Sequence, residues 1–184
     1  MFISSAAVFG ESIIKKNTKP ISPYGINKLK CENYIIKKGD KIDLDYKILR
    51  FFSLYGPGLK KQLIWDACKK LINKDLTFYG TGREIRTWMH IEDAVSIVSK
   101  TMIINNSKKI YNFCGTQKKQ NKEIIKIIAT ILKLDVKIKF NGISDLGNPK
   151  VMYLKNCDLD IINYKQKSQI NYGLNQYIKY FKKI

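Results

Sequence analysis

Apolar and polar positions fall into two kinds of block along this chain. The opening MFISSAAVF is a short apolar run closed by Gly10, and LDYKILRFF, Leu44 to Phe52, is a second run, rich in aromatic and branched residues and closed by YGPG. Such runs bounded by turn residues predict strands. Between them, PYGINKLKCENYIIKKG has the length of a helix that begins just after Pro23 and ends at Gly39 as its C-cap. Strand, helix and strand in that order predict a βαβ unit, with parallel strands and a right-handed crossover. Ligands of such sheets collect beyond the carboxyl ends of the strands. The first strand carries Ser4 and Ser5, and the connection from Gly10 leads on to Tyr24.

Beyond Gly58 the period changes. QLIWDACKKLI sets Leu63, Ile64, Ala67, Cys68, Leu71 and Ile72 on one side of a helix, and LTFYGTGREIRTWMHI predicts two short extended pieces around a turn at Gly80-Thr81-Gly82. EDAVSIVSKTMI and NKEIIKIIATIL predict two further helices with apolar stripes, VKIKF from Val136 to Phe140 a short strand, and Asn141 to Pro149 a loop. Leu174, Tyr177, Ile178 and Phe181 recur at helical spacing and predict a last amphipathic helix. There is no internal repeat and no low-complexity linker. A parallel strand entered at residue 2 with no partner before it would expose unpaired backbone groups along an apolar edge. The expectation is a truncated product, a split gene or a fragment, with part of the sheet missing upstream.

Composition narrows the class. With 184 residues and 45% hydrophobic content, one globular domain with a real core is expected. The net charge of +19 raises nucleic acid as a partner. Arginine, however, stands only at Arg50, Arg83 and Arg86, and the lysines are spread over nearly every segment among Ile and Asn. That pattern lacks the arginine-rich stripe and interleaved aromatics of a nucleic-acid face, which disfavours that partner. The cysteines Cys31, Cys68, Cys114 and Cys157 are far apart, and His90 is the one histidine, so no metal site is expected and the thiols read as reduced. No apolar run approaches the ~20 residues that span a bilayer, and the start lacks the pattern of a signal peptide, so a cytoplasmic protein free of the membrane is expected.

The candidate chemistry lies in SPYGINKLKCE. Residues four apart share a helix face, which makes Tyr24 and Lys28 neighbours. An ammonium beside a phenol favours the phenolate and so suits it to general-base work at neutral pH. The same lysine can reach the ribose hydroxyls of a cofactor, and a hydroxyl such as that of Ser5 can steady the oxygen of a carbinol becoming a carbonyl. Taken alone, the pair is what a lysine-rich chain with eleven tyrosines shows by chance.

The surroundings make it specific. SSAAVFG, SPYGINKLKCE, ILRFFSLYGPG and YGTGREIRTWMHIEDAV follow one another in the order and approximate spacing of the extended short-chain dehydrogenase/reductases that act on nucleotide sugars. The whole chain resembles the later two thirds of such an enzyme, as in UDP-glucose 4-epimerase and its relatives. The resemblance implies an α/β fold: the C-terminal part of a Rossmann-type doubly wound parallel sheet plus a smaller α/β substrate-binding domain. Residues 1–55 would be the remnant of the dinucleotide-binding domain, with 92–115 returning to it, and 56–91 and 116–184 would form the substrate domain. It implies Ser5, Tyr24 and Lys28 as catalytic residues, with Tyr24 and Lys28 also touching NAD or NADP. It places Ser53 and Arg86 on the substrate, a nucleotide-diphosphate sugar, with the guanidinium fork on phosphate oxygens. Relatives often dimerise through two helices, one bearing the tyrosine, which makes a homodimer an expectation.

The departures from the pattern matter equally. Family dehydratases and decarboxylases carry an acid one or two positions after the catalytic Ser or Thr, where this chain has Ala6 and Ala7; epimerisation or ketone reduction remain. Ser53 stands where many relatives have Asn. The G-x-x-G-x-x-G run that holds the dinucleotide pyrophosphate at a helix N-terminus does not occur. A non-catalytic remnant, or a subunit completed by a partner chain, is therefore the alternative, with a basic nucleic-acid module behind it. For the remaining residues ordinary structural roles are expected: His90 on a strand, Asp93 as a helix cap or dipole partner, Arg83 solvated in a turn, Tyr111 and Asn112 in sheet packing, and Trp65 and Trp88 in the core or at a domain interface.

Overall fold

The first apolar run forms a strand only as far as Ser5. In the computed structural model, which describes residues 1–15, 17–143 and 147–184, β1 is Phe2–Ser5 and the chain then turns into a 3-10 helix, Ala6–Lys15. The crossover helix α1 is Pro23–Lys41, with Pro23 already in its first turn and Ser22 as N-cap, its Oγ accepting the Gly25 N–H at 3.1 Å. Gly39 is not the C-cap expected of it. The helix runs two residues further, and Gly39 is buried against Tyr46, whose Cδ1 would lie 2.5 Å from a Cβ at that position. The glycine serves close packing of α1 on the chain entering β2, rather than a left-handed turn.

β2 is Ile48–Phe51, all four residues buried, and β3 is Ser53–Tyr55. The second apolar run, Leu44–Phe52, thus holds one strand, and β3 follows it where the chain leaves one sheet at Phe52 and enters another. α2 spans Gln62–Ile72, β4 Thr77–Phe78, β5 Ile85–His90 and α3 Ile91–Ile103. β6 is Ile110–Phe113, β7 Lys118–Gln120, α4 Asn121–Ile131, β8 Lys139–Phe140 and β9 Val151–Met152; a short 3-10 turn precedes α5, Ile170–Phe181. β8 is shorter than the run Val136–Phe140 predicts, and part of the expected loop, residues 144–146, lies outside the described residues.

β1, β2 and β6 form a parallel sheet in the order β1-β2-β6, with Ser4 opposite Arg50 and Ser5 opposite Phe51. The predicted βαβ unit is therefore present. A second sheet has the order β3-β5-β7, with β9 also pairing β5. There β3 and β9 run parallel to β5 and β7 antiparallel. β4 and β8 pair separately, in parallel. The architecture is α/β.

Packing follows the helical stripes. On α2, Ile64, Ala67, Cys68 and Leu71 are buried with Ile124, Ile125 and Ile128 of α4 and Leu174, Tyr177 and Ile178 of α5, whereas Ile72 is half exposed. Each Leu or Ile among them taken from water contributes about 1.5–3 kcal/mol. α3 packs Ala94 and Ile97 on Leu49, Tyr111 and Phe113 of the first sheet, and Lys47, itself buried, closes that helix by donating to Thr101 O and Ile104 O at 3.1 and 2.6 Å. Among the described residues no helix is long and apolar enough to cross a membrane.

Candidate active site

The carboxyl end of β1 and the first turn of α1 are in backbone contact. A Cβ on Gly25 would stand 2.4 Å from Ala7 O, so only glycine lets the turn that follows Ser5 meet the turn that carries Tyr24. Ser5 Oγ accepts the Ala7 N–H at 3.2 Å, which fixes the serine at the bend. Ser5 and Tyr24 both line a cavity of about 520 Å³, and Tyr24 is more than half exposed. Ala7 lines it too.

Lys28 is Tyr24's neighbour, as the four-residue spacing predicts. Its Nζ lies 5.8 Å from the centroid of the Tyr24 ring and 4.9 Å from that of Phe2, and donates to Ile3 O at 2.9 Å. Its hydrogen bond thus goes to the β1 backbone rather than to the phenol oxygen.

Another part of the cavity wall comes from the second sheet. Ser53 begins β3 and Arg86 sits on β5, and both reach the cavity. Arg86 is only 5% exposed. Its guanidinium donates to Ile85 O at 2.9 Å, Lys150 O at 3.3 Å and Asn148 Oδ1 at 2.9 Å. Burial pushes its pKa down against the pull of Glu84 and Glu11, yet guanidinium remains charged at any physiological pH. No carboxylate among the described residues forms an ion pair with it. Glu84 and Glu11 act on it without a direct ion pair, and an anion in the cavity would supply the contact partner that a buried cation lacks.

Other parts of this wall carried no signal in the sequence. Lys61, Gln62 and Leu63 bring the start of α2 to the cavity, and Lys61, its N-cap, makes no side-chain capping bond. Gln62 adopts φ +68, a left-handed conformation uncommon outside glycine and found often at binding sites. An uncapped helix start presents N–H groups and the positive end of the helix dipole. Asn148 reaches Arg86 from 62 positions downstream. Asn121 donates to Glu84 Oε2 at 3.3 Å, and Trp88 packs edge-on to Tyr55 with ring centroids 6.5 Å apart while also lining the cavity.

The remaining candidates lie elsewhere. His90 is fully buried, 5.3 Å from the Tyr55 ring, with neither ring nitrogen hydrogen-bonded to a described residue; burial lowers its pKa. Asp93, expected to cap or complement its own helix, stands in the first turn of α3, where an acid complements the helix dipole, while His90 holds the N-cap position. The Asp93 carboxylate accepts from the Tyr164 hydroxyl and the N–H groups of Lys167 and Ser168. Arg83 is exposed in its turn, and Tyr111 is buried in β6 with its hydroxyl donating to Asn106 Oδ1 at 2.6 Å. All four cysteines are unpaired, and no cluster of His, Cys, Asp and Glu among the described residues could hold a metal.

The model of the NAD dependent epimerase/dehydratase family matches residues 1–114 of the chain. A UDP-glucose epimerase of Bacillus subtilis (strain 168), itself uncharacterized, is 28% identical over 141 residues, covering 71% of this chain and 44% of that protein. The putative UDP-glucose 4-epimerase of Methanocaldococcus jannaschii is 24% identical over 192 residues, covering 97% of this chain and 61% of that protein. Among solved structures, UDP-N-acetylglucosamine 4-epimerase from Methanobrevibacter ruminantium M1 superposes with a TM-score of 0.87 at 24% identity, over 99% of this chain and 62% of that one. UDP-glucuronic acid 4-epimerase from Bacillus cereus, in complex with UDP-glucuronic acid and NAD, gives 0.86 at 23%, over 98% and 60%. These superpositions establish a shared fold. The chain spans about half the length of the first of these relatives and about three fifths of the others.

Proposed function

The chain belongs to the NAD dependent epimerase/dehydratase family, and from that premise we propose that it carries the substrate wall and the catalytic Ser5, Tyr24 and Lys28 of a nucleotide-sugar epimerase or ketoreductase. The observation that carries this reading is one cavity lined by Ser5 and Tyr24 together with the buried Arg86, whose guanidinium forms no ion pair with a carboxylate of the described residues. Arg86 and the uncapped start of α2 hold the diphosphate of the nucleotide sugar, as an anion is held at a helix N-terminus. Ser53 meets the sugar. Ser5 steadies the reacting sugar oxygen, and Tyr24 takes the proton of the hydroxyl and returns it.

The described residues fit one end of a nicotinamide dinucleotide. Lys28 gives one of its three N–H donors to Ile3 O and keeps donors for ribose hydroxyls beside the half-exposed Tyr24. NAD or NADP, when bound, supplies a hydride acceptor and donor. Ala6 and Ala7 favour epimerisation or ketone reduction over dehydration, since neither can move a proton. A cytoplasmic setting and a homodimer belong to the same reading; Ile26 and Tyr34 stand exposed on α1.

The test is calorimetric titration of the chain with UDP-glucose. Binding is expected, and Arg86→Ala should weaken it by about 10–200-fold, the loss of a charge-assisted hydrogen bond worth ~1.5–3 kcal/mol. Equal affinity in the variant, or no binding by the unaltered chain, refutes the assignment.

A further inference from the structure

Tyr24, Lys28 and Glu32 follow one another at four-residue steps along α1, each step advancing about 40° beyond a full turn, so the three form one ridge along the helix. Tyr24 reaches the cavity and Lys28 the β1 backbone. Glu32 goes inward and is 0% exposed, beneath the helix. There its carboxylate meets Arg50 of β2 in a two-pronged pair: Nε lies 2.9 Å from Oε1 and 3.1 Å from Oε2, and Nη2 lies 2.5 Å from Oε2. Ser4 Oγ donates to Oε1 at 2.5 Å. Arg50 is itself buried, with the Phe9 ring 5.1 Å away, and stands opposite Ser4 in the β1–β2 register.

A buried ion pair is weak evidence for stability, because apolar side chains of similar volume often serve the fold as well or better. What such a pair supplies is geometry. Bonds from two strands converge on one carboxylate and fix both the rotation of α1 and its displacement along β1. The β1 residue in this clamp, Ser4, is the immediate neighbour of Ser5.

We propose that Glu32, through Arg50 and Ser4, is a positioning residue that holds Tyr24 and Lys28 in register with Ser5. The catalytic value of this clamp rests on the function proposed above; the clamp itself does not. Loss of the clamp leaves the fold and lets the first turns of α1 shift against β1.

The test uses the chain labelled with 13C in its tyrosine rings, the Tyr24 resonance being identified by its absence in Tyr24→Phe. Glu32→Met combined with Arg50→Met removes the clamp with an apolar replacement, and Ser4→Ala removes one bond at little risk to folding. The expected result is a retained cooperative melt, a displaced Tyr24 resonance, and amide exchange at least tenfold faster over Tyr24–Lys28, with a smaller displacement of the same resonance in Ser4→Ala. Should the double variant not fold, Ser4→Ala decides. An unmoved Tyr24 resonance and unchanged exchange in a folded variant overturn the proposal. UDP-glucose titration of the same samples separates the two readings. Arg86 and α2 lie outside the clamp, so affinity should stay within twofold, and a chain that binds no UDP-glucose at all counts against the proposed function while leaving the resonance result intact.

Discussion

Asp93 accepts a 2.6 Å hydrogen bond from the Tyr164 hydroxyl, and with it the N–H groups of Lys167 at 2.9 Å and Ser168 at 3.1 Å. One buried carboxylate in the first turn of α3 thereby anchors the segment that leads into α5. Burial alone would raise the Asp93 pKa, but the hydrogen bonds from Tyr164, Lys167 and Ser168 outweigh it and hold the group below the ordinary aspartate value. A pKa depressed on folding contributes stability above the unfolded value, ~3.9, and that contribution is lost as pH falls through the folded value. Asp93→Asn should lower stability at pH 7 by about 1.5–3 kcal/mol, the scale of hydrogen bonds to a charged group. It should also flatten the loss of stability below pH ~4. Urea midpoints at pH 7, 4 and 3 check both; a variant that keeps the acid sensitivity of the unaltered chain removes Asp93 as its source.

Gly25→Ala tests the contact between the two catalytic turns. The added methyl would meet Ala7 O at 2.4 Å and Ala7 C at 3.0 Å, backbone atoms that cannot turn aside as a side chain would. Overpacking of this kind costs about 1–3 kcal/mol, more than the helix propensity of alanine over glycine, ~1 kcal/mol, returns. A lowered denaturation midpoint is expected, whereas a raised one would show that the turns are not in contact.

These contacts also mark where the sequence is readable. The stripes of α2, α4 and α5 were legible because burial follows the 3.6-residue period, and the Tyr24–Lys28 neighbourhood was legible because four residues on a helix fix a distance. The burial of Glu32 was not. Its partner Arg50 lies eighteen positions away and becomes its neighbour only when β2 pairs with β1 beneath α1. The same holds for Asn148 with Arg86, and for β7 and β9, two short strands whose existence depends on β5 being there to pair with. Gly39 misled for a related reason: a glycine near the end of a helical pattern reads as a cap, and only the Tyr46 ring shows that it is a space for packing.

Thiol chemistry should separate the cysteines. Cys31 is exposed on α1, while Cys68 is fully buried in α2 with its thiol pushed up to about 12 by that burial. The thiolate is the reactive form. Iodoacetamide at pH 7.5 should therefore label Cys31 in the folded chain and Cys68 only after denaturation, as read by peptide mass. Early labelling at Cys68 would place α2 outside the core.

Tyr24→Phe bears directly on the proposed chemistry. The substitution keeps the ring, and with it the contact to the Lys28 ammonium, and removes only the oxygen that would carry the proton. Positioned acid–base groups contribute about 10²–10⁴-fold to rate. In a chain completed by a dinucleotide-binding half and supplied with NAD and UDP-glucose, interconversion of the sugar should fall by that factor in the variant, followed as hexose composition at intervals. The affinity for UDP-glucose should hold within twofold, because the anion contacts are assigned to Arg86 and α2 and not to the phenol. Ser5→Ala should lower the rate in the same way, since its hydroxyl is placed at the same bend by the Ala7 N–H. Unchanged turnover in Tyr24→Phe would strip the phenol of its role, and a parallel loss of binding would make Tyr24 a binding group rather than a proton carrier.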